Sequence, residues 1–343
     1  MGNGVHLKVT ELQRQNPLTK DTRTGIRIQS RQVDYAMIIS IDTVVQRIPE
    51  WKGKDIRVTE LGGGITNRNY RVRVGEESFV VRIPGEDSHF LGINREREYE
   101  CNVAASSSGV APEVVHFLRP ENVLVTRFIG GPTMSAETMG NEESIGKAVR
   151  AIKLIHGGPP FPGMFSVFRV VEDYRQVAES HDVVLPERID WIFEKTKEIE
   201  NTLARHPEDL VPCHNDFLPA NFIDCGDYFK IIDWEYGGMG DPYFDLGNFC
   251  VNNALNDDQD AMVCREYFGV ISDFRVARLK IFKVLSDIRE AMWGMVQLGV
   301  SKLDVDFREY GDKHFDRFIK NLGDPRFPRW LDRVSRGGVI SRA

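Results

Sequence analysis

The chain has 343 residues, of which 41% are hydrophobic and 28% are charged, an ordinary composition for a soluble globular protein. Because a single hydrophobic core stops growing at about 250–300 residues, we expect two packed lobes. The formal net charge of −7 argues against a nucleic-acid-binding protein, which normally carries a basic face. The same charge suits a cationic substrate, although net charge governs encounter and solubility rather than chemistry.

Cysteine spacing and hydropathy exclude further classes of protein. The five cysteines are scattered and never form a C-x-x-C pair, so the sequence predicts neither a disulfide framework nor a zinc site. No apolar run approaches the roughly 18 residues that span a bilayer, and residues 1–10 lack the apolar stretch of a signal peptide. We therefore expect a soluble cytoplasmic protein without membrane insertion.

The predicted elements begin with an N-terminal extension and a short helix. Residues 1–35 are polar and weakly periodic, which indicates a poorly ordered tail or an arm that contacts a partner. Apolar residues at helical spacing over 37–50 predict the first helix.

Alternating apolar and polar residues then predict a small sheet lobe, assigned to residues 36–130. The alternation is found over 56–61, 69–74, 78–83, 113–118 and 122–128. Between the third and fourth of these strands, a stretch rich in Glu, Arg and Ala predicts a helix over 94–107. The lobe is therefore expected to combine five short strands with one helix.

The remainder of the chain is mainly helical. Amphipathic spacing predicts helices over 142–156 and 186–206. Residues 211–236 instead contain short strand-like pieces, and helices resume at about residue 257. The predicted fold class is α+β, with a small antiparallel-sheet lobe in front of a mainly helical lobe over 131–343.

The strongest chemical signal is the segment Pro212–Asn221, which contains the spacing H-x-D-x-x-x-x-N of a kinase catalytic loop. In this pattern Asp216 accepts the proton of the attacking hydroxyl, and Asn221 turns back to hold Mg²⁺. His214 braces the loop rather than reacting. These three residues are the predicted catalytic set of a phosphoryl-transfer enzyme.

A further acid stands twelve residues after Asn221, where a short predicted strand ends at Asp233. This is the position of the kinase aspartate that binds Mg²⁺. Mg²⁺ prefers hard oxygen ligands and usually takes one or two protein carboxylates besides the phosphates. Asp233 and Asn221 therefore form the predicted metal site.

Glycines between the first two predicted strands indicate a phosphate cradle built from backbone N–H groups. The residues assigned to it are Gly62, Gly63, Gly64 and Asn67. A dinucleotide-binding site would need a helix directly after the glycines, whereas a strand follows here, and a Walker A motif is absent. The loop is therefore expected to cover the phosphates of ATP.

Kinases also need a cation on the third strand and an acid on the next helix. Arg82 holds the first position, and its guanidinium can grip two phosphate oxygens. Glu98 is the predicted partner of Arg82 on the helix. The backbone around Arg127 and Ile129, at the predicted hinge over 127–132, is expected to contact the adenine.

With these motifs the chain resembles the choline/ethanolamine kinase branch of the aminoglycoside phosphotransferase family. The resemblance extends over about residues 55–320 and rests mainly on the segments 213–221, 232–236 and 244–249. It implies a protein-kinase-like bilobal fold and a kinase that uses ATP and Mg²⁺. It also implies that Asp245 supports the catalytic loop as a structural residue.

The same resemblance implies an acceptor site in the helical lobe. The C-terminal stretch is similar to the choline kinase segment in which aromatic residues hold a quaternary ammonium by cation–π contact. Where those kinases tend to have further aromatic residues, this chain has acids, which bind a primary ammonium at least as well as a trimethylated one. We therefore expect a small cationic alcohol as substrate. The acceptor-binding residues are assigned as Glu235, Asp241, Glu290, Trp293 and Tyr310.

Three functions are compatible with these residues. The first is a kinase for choline, ethanolamine or a related amino alcohol. The second is a kinase for another amine-bearing alcohol, such as an aminoglycoside, thiamine or an amino sugar. The third is a pseudokinase that binds nucleotide without turnover, although the complete set of Arg82, Asp216, Asn221 and Asp233 argues against it. The oligomeric state is open, with a homodimer as one option, and no nucleic-acid partner is expected.

Overall fold

The computed structural model describes residues 39–62, 67–85 and 88–338. The predicted extension over residues 1–35 lies outside these ranges. So do the first residues of the helix predicted over 37–50, and so do Gly63 and Gly64 of the predicted phosphate cradle.

The first part of the chain forms a five-stranded antiparallel sheet. The elements are α1 (Ile41–Arg47), β1 (Ile56–Leu61), β2 (Asn67–Val74), β3 (Glu77–Pro84), α2 (Arg95–Ser107), β4 (Val114–Leu118) and β5 (Val123–Arg127). The strand order in the sheet is β1-β2-β3-β5-β4. Alternation of burial along β3 shows why this sequence forms a strand: Phe79, Val81 and Ile83 are buried, and the residues between them are more exposed.

The strands and α2 agree closely with the sequence prediction, whereas α1 is shorter than predicted. The helix ends at Arg47, and a separate 3₁₀ turn follows at Pro49–Trp51. Proline has no backbone N–H to donate along a helix and favours its first turn, so Pro49 starts the new turn instead of continuing α1.

The buried apolar residues of the described chain form two hydrophobic clusters. The smaller one lies between the sheet and α1, and it is built by Val44, Ile48, Trp51, Val72, Val74, Phe79, Val81, Ile83, Val123 and Val125. The buried residues Cys101 and Ala105 of α2 belong to the larger cluster, which fills the helical part. Helix α2 therefore places its acidic residues where the sheet meets the helical part.

The second part of the chain is mainly helical. Its elements are α3 (Ala136–Met139), α4 (Glu142–His156), α5 (Val167–Ser180), α6 (Ile189–Leu203), β6 (Val211–Cys213), β7 (Phe222–Asp224), β8 (Phe229–Ile231), β9 (Gly238–Gly240), α7 (Pro242–Asn252), α8 (Asp257–Phe268), α9 (Asp273–Val300), α10 (Phe307–Leu322) and α11 (Phe327–Arg336). Strand β6 pairs with β9, and β7 pairs with β8, in both cases antiparallel.

Helix α7 corrects the prediction that helices resume only at about residue 257. Its residues from Pro242 to Val251 are all buried, so the segment lacks the polar face by which an amphipathic helix is recognised. A start signal was nevertheless present, because Asp241 caps the helix through its side chain and a proline occupies the first turn. Helix α5 was also missed, although Val167, Val171, Tyr174 and Ala178 form a buried helical stripe.

The segment after β5 is fastened to the helical part. The Met134 N–H donates to the Phe222 carbonyl at 3.0 Å, and the Asp224 N–H donates to the Pro132 carbonyl at 2.9 Å. Gly131 lies in this segment with φ of 140°, and a Cβ placed there would stand 2.1 Å from the Asp224 carbonyl oxygen. The crossing between the two parts therefore requires glycine at this position.

Helix α9 runs through the core of the helical part. Nearly all of its residues from Ala277 to Gln297 are buried, and they include charged residues that form ion pairs, such as Arg278 with Asp241. Within the described ranges, no helix combines the length and the hydrophobicity needed to cross a bilayer.

The contact between α7 and α9 gives a stability prediction. A Cβ at Gly247 would stand 2.6 Å from the backbone carbon of Phe282, which is too close for atoms that cannot rotate away. We expect Gly247→Ala to lower the free energy of unfolding by about 1–3 kcal/mol in urea titrations.

Gly146→Ala is the matched control, because it is also a buried helical glycine. There a Cβ meets only the flexible end of Arg150, at 3.4 Å. We expect this variant to be unchanged or more stable by up to about 1 kcal/mol. Equal destabilisation of both variants would contradict the proposed close packing of α7 on α9.

Candidate active site

A buried carboxylate on α7 holds the loop that follows β6. The carboxylate of Asp245 is fully buried and accepts two backbone N–H groups, from His214 at 2.9 Å and from Asn215 at 2.7 Å. Asn215 has φ of 67°, a left-handed conformation that asparagine tolerates better than most residues. The turn that presents Asp216 is therefore fixed by one acid from another element.

His156 on α4 contacts the same carboxylate. Its Nε2 lies 3.0 Å from Asp245 Oδ2, and its Nδ1 lies 2.6 Å from the Tyr267 hydroxyl. An ionised carboxylate only accepts hydrogen bonds, so Nε2 donates. Asp245 thus joins α4, α7 and the predicted catalytic loop, which is the arrangement expected of a supporting residue.

His214 contacts backbone groups on both sides of the loop. Its Nε2 donates to the Ile232 carbonyl at 3.0 Å, and its Nδ1 accepts the N–H of Asp216 at 3.2 Å. Burial lowers the pKa of His214, which agrees with a neutral imidazole that accepts at Nδ1. The ring also stacks on Phe217 with a centroid distance of 4.8 Å. This geometry braces the backbone of Asp216 and leaves the imidazole without a direct role at the reacting atoms.

Asp216 presents a carboxylate that is poised to accept a proton. Burial raises the pKa of Asp216 to about 8, and the nearby guanidinium of Arg289 opposes part of this rise. Nη1 of Arg289 lies 3.3 Å from Asp216 Oδ1. A general base works best with a pKa near the working pH, so the environment suits the predicted role.

Asn221 and Asp233 supply the oxygen atoms that a magnesium ion prefers. Nδ2 of Asn221 donates to the Asp216 carbonyl at 2.9 Å, which turns the amide oxygen away from that bond. Burial would raise the pKa of Asp233, but Arg82 holds it below its ordinary value, so the carboxyl stays ionised. One amide oxygen and one carboxylate fit the usual protein contribution to a Mg²⁺ site.

The cation predicted on the third strand lies between two acids. Nη1 of Arg82 donates to Glu98 Oε1 at 2.7 Å and to Asp233 Oδ1 at 2.6 Å. The contact between Arg82 and Glu98 that the sequence predicts is therefore present. The same guanidinium links the sheet to the acid that follows β8.

Glu235 lies with these charged groups, which corrects its assignment to the acceptor site. Its carboxylate accepts from Asn67 Nδ2 and from Arg95 Nη1, both at 3.1 Å. Burial raises the pKa of Glu235 to about 7, repulsion from Asp233 adds to this rise, and Arg95 opposes it. Glu235 therefore belongs to the junction with the sheet, on the side predicted to hold nucleotide phosphates, together with Asn67.

At the predicted hinge, Arg127 and Ile129 have different surroundings. The N–H of Arg127 donates to the Glu113 carbonyl at 2.9 Å, and its side chain pairs with Glu113 and Glu77. This N–H is thus committed within the sheet and is not available to an adenine, which corrects the prediction for the N–H of Arg127. Ile129 lies two residues after the end of β5 and is half-buried. Gly62 lies directly after β1, at the start of the predicted cradle.

The two predicted aromatic residues of the acceptor site lie together. The rings of Trp293 and Tyr310 have a centroid distance of 5.5 Å and an interplanar angle of 66°. Trp293 Nε1 donates to the Tyr236 hydroxyl at 3.1 Å, which adds a third aromatic residue that the sequence analysis did not assign. Tyr236, Trp293 and Tyr310 are called the aromatic wall below.

The acids assigned to the acceptor site are already engaged. Glu290 is buried and accepts from Arg289 at 2.6 Å and from the Tyr310 hydroxyl at 2.7 Å. Burial would raise the pKa of Glu290, but Arg289 and the Tyr310 hydroxyl hold it below its ordinary value. Glu290 therefore supports the aromatic wall and is not a vacant acceptor for an ammonium, which corrects the prediction.

Asp241 is also corrected, because it has a structural role at the start of α7. One carboxylate oxygen accepts the N–H of Tyr243 at 2.9 Å, and the other accepts from Arg278 Nη2 at 2.5 Å. Both oxygens are used to cap the helix and to compensate a buried guanidinium. The predicted contact of Asp241 with an ammonium therefore gives way to this structural role.

Sequence reasoning missed three residues that the structure places in the site: Arg95, Tyr236 and Arg289. A local signal existed for Arg95, whose spacing from Glu98 is that of an ion pair on a helix face. Tyr236 ends the motif that contains Asp233. For Arg289 the signal was weak, because α9 carries several other charged residues and its local spacing does not single out Arg289.

Comparisons with known proteins identify relatives of this chain. Residues 57–279 match the family model described as "phosphotransferase enzyme family". Protein LicA of Haemophilus influenzae is 27% identical over 274 residues, which cover 76% of this chain and 78% of that protein. Ethanolamine kinase 2 of Rattus norvegicus is 25% identical over 311 residues, which cover 79% of this chain and 78% of that protein.

Among solved structures, the crystal structure of a choline/ethanolamine kinase family protein from Mesorhizobium loti is similar to this chain. The TM-score is 0.76 at 35% sequence identity, and the match covers 85% of this chain and 97% of that chain.

The raised pKa of Asp216 gives a prediction about stability. The unfolded chain has the ordinary value of 3.8 and the folded chain about 8, so the folded state binds this proton more tightly. The wild type therefore loses stability as the pH rises through this window, whereas Asp216→Asn does not ionise. The stability gain of the variant is expected to grow with pH, by up to about 1.4 kcal/mol per unit, and to level off above about pH 8.

The measurement is urea unfolding of both proteins at several pH values. Asp190→Asn serves as the control, because its side chain is 81% exposed and its replacement should change the free energy of unfolding little. A difference between wild type and Asp216→Asn that stays constant with pH would contradict the burial of an ionisable Asp216.

Proposed function

The chain belongs to the phosphotransferase enzyme family and, within it, to the choline/ethanolamine kinase family, and on this premise we propose that it phosphorylates the hydroxyl of choline, ethanolamine or a related amino alcohol with ATP. One observation carries the proposal. Arg289 contacts Asp216 and Glu290, and its guanidinium carbon lies 4.3 Å above the ring of Tyr236. The predicted base and the aromatic wall are therefore neighbours, as phosphorylation of a cationic alcohol requires.

Asp216 acts on the acceptor. Its carboxylate takes the proton of the hydroxyl, whose oxygen forms a bond to the γ-phosphorus while the bond to ADP breaks. His214 and Asp245 hold the backbone on which Asp216 stands. Phosphoryl transfer depends mainly on positioning and on charge stabilisation, so these supports matter as much as the base itself.

A second group of residues stabilises the negative charge on the phosphates. Asn221 and Asp233 would hold Mg²⁺, which, when bound, neutralises charge on the phosphates. Arg82, kept in place by Glu98, adds a fixed positive charge from the sheet. We assign residues 36–130 to nucleotide binding, with Gly62 and Asn67 near the phosphates and the backbone of Ile129 near the adenine.

The aromatic wall supplies the preference for an amine. The electron-rich faces of Trp293 and Tyr310 attract a cation by about 0.5–2 kcal/mol each, depending on how far water is excluded. Glu290 stands behind Tyr310 and adds negative charge. A small cationic alcohol can therefore place its ammonium at the wall and its hydroxyl at Asp216.

The proposal is tested by ADP release from Mg-ATP with a panel of acceptors: choline, ethanolamine, its methylated forms, thiamine and several aminoglycosides. We expect turnover with a small amino alcohol, and a loss of about 10²–10⁴-fold in kcat/KM in Asp216→Asn, because the general base is removed. Asp190→Asn, an exposed control, should retain wild-type rates.

Two results would contradict this account. Turnover of a small amino alcohol by Asp216→Asn within about threefold of the wild type would remove the assigned base. Nucleotide binding without turnover of any acceptor would favour the pseudokinase interpretation instead.

A further inference from the structure

Arg289 is a buried cation in contact with the predicted base. It lies on α9 with 2% of its side chain exposed, and its Nη1 donates to Glu290 Oε1 at 2.6 Å and lies 3.3 Å from Asp216 Oδ1. One nitrogen of the guanidinium therefore serves both acids. The planar group also covers the ring of Tyr236, which fixes its orientation.

The other two nitrogens of Arg289 have no acceptor within the described part of the chain. Among the described residues, no hydrogen-bond partner reaches Nε or Nη2, although both atoms are buried. A buried donor without a partner costs about 1–3 kcal/mol, and a charged donor costs more. A ligand that accepts hydrogen bonds from both atoms would offset this cost at the site of the predicted base.

The geometry of these donors restricts the ligand. Nε and Nη2 form one edge of the guanidinium, with two parallel N–H groups, and this edge matches a carboxylate in a bidentate pair. Choline and ethanolamine have no anionic group to offer. Either molecule would bring a second cation towards Arg289 and would leave the edge unpaired.

We propose that the preferred acceptor is an amino alcohol that also carries a carboxylate, and that this carboxylate binds the Nε–Nη2 edge of Arg289. The inference rests on the proposed function, because it places the acceptor hydroxyl at Asp216. This edge belongs to the guanidinium that contacts Asp216. The carboxylate and the hydroxyl of the acceptor must therefore be only a few bonds apart. The ammonium faces Trp293 and Tyr310.

Matched acceptors test the proposal on the wild-type protein. Ethanolamine is compared with serine, and 3-amino-1-propanol with homoserine, since each pair differs only by a carboxylate. We expect kcat/KM to be at least about tenfold higher for the carboxylated member of at least one pair, the size of one charge-assisted hydrogen bond. If the carboxylate-free member is equal or better in both pairs, the inference is wrong while the proposed function stands. Inactivity of all four acceptors and of choline would overturn both.

Arg289→Gln tests the residue. It removes the charge and the forked donors, so both members of a pair slow down, and the carboxylated member should lose about 10–100-fold more. Arg289→Lys, which keeps the charge between the two acids but not the forked edge, should also reduce the ratio. If Arg289→Gln is too unstable to assay, Arg289→Lys still tests the contact.

Arg278→Gln is the matched control. Arg278 lies on the same helix, is 1% exposed, pairs with an aspartate and also has an Nε without a hydrogen-bond partner among the described residues, although Glu208 lies 3.9 Å from it. Its loss should lower stability and leave the ratio between paired acceptors unchanged. A ratio that also stays unchanged in Arg289→Gln and Arg289→Lys would show that Arg289 only positions Asp216, and the proposed carboxylate contact would be rejected.

Discussion

The site depends on one buried carboxylate. Asp245 accepts two successive backbone N–H groups at the turn before Asp216, and His156 fixes it from α4. Without this acceptor, two N–H groups would be buried unpaired, at a cost of about 1–3 kcal/mol each, and the turn would relax. The left-handed conformation of Asn215 persists because the carboxylate holds the N–H groups of both His214 and Asn215. The position of the Asp216 carboxylate therefore depends on this turn.

Around that turn, each acid needed for phosphoryl transfer is joined to a guanidinium. Arg82 joins Asp233 to Glu98, and Arg289 joins Asp216 to Glu290. Several carboxylates buried together would repel each other and take up protons, so the arginines keep some ionised while burial leaves the pKa of Asp216 near neutrality. The two pairs differ in position. Arg82 comes from the sheet, on the side of the predicted nucleotide, whereas Arg289 comes from the helical part, on the side of the proposed acceptor.

The sequence predicted most of what is local. The strands followed from alternation, and the set His214, Asp216 and Asn221 followed from spacing within one loop. Contacts between distant segments were not predictable in the same way. Asp216 and Arg289 are 73 residues apart, and adjacent residues on a helix, such as Arg289 and Glu290, do not normally face each other. Nothing in the local sequence therefore indicates that the carboxylate of Glu290 already has partners. Asp241 was misassigned because its helix, buried on all sides, showed no amphipathic pattern.

The most direct test of the account is the steady-state kinetics of Asp245→Asn. The amide has one acceptor oxygen, so one of the two loop N–H groups loses its partner and Asp216 moves. We expect kcat to fall about 10²-fold with the KM for ATP little changed, in a protein that stays folded. Asp260→Asn is the control: Asp260 is equally buried but pairs with Lys280 and Lys283, so its loss should lower stability without this fall in kcat. A kcat for Asp245→Asn within about threefold of the wild type would contradict the central role given to this carboxylate.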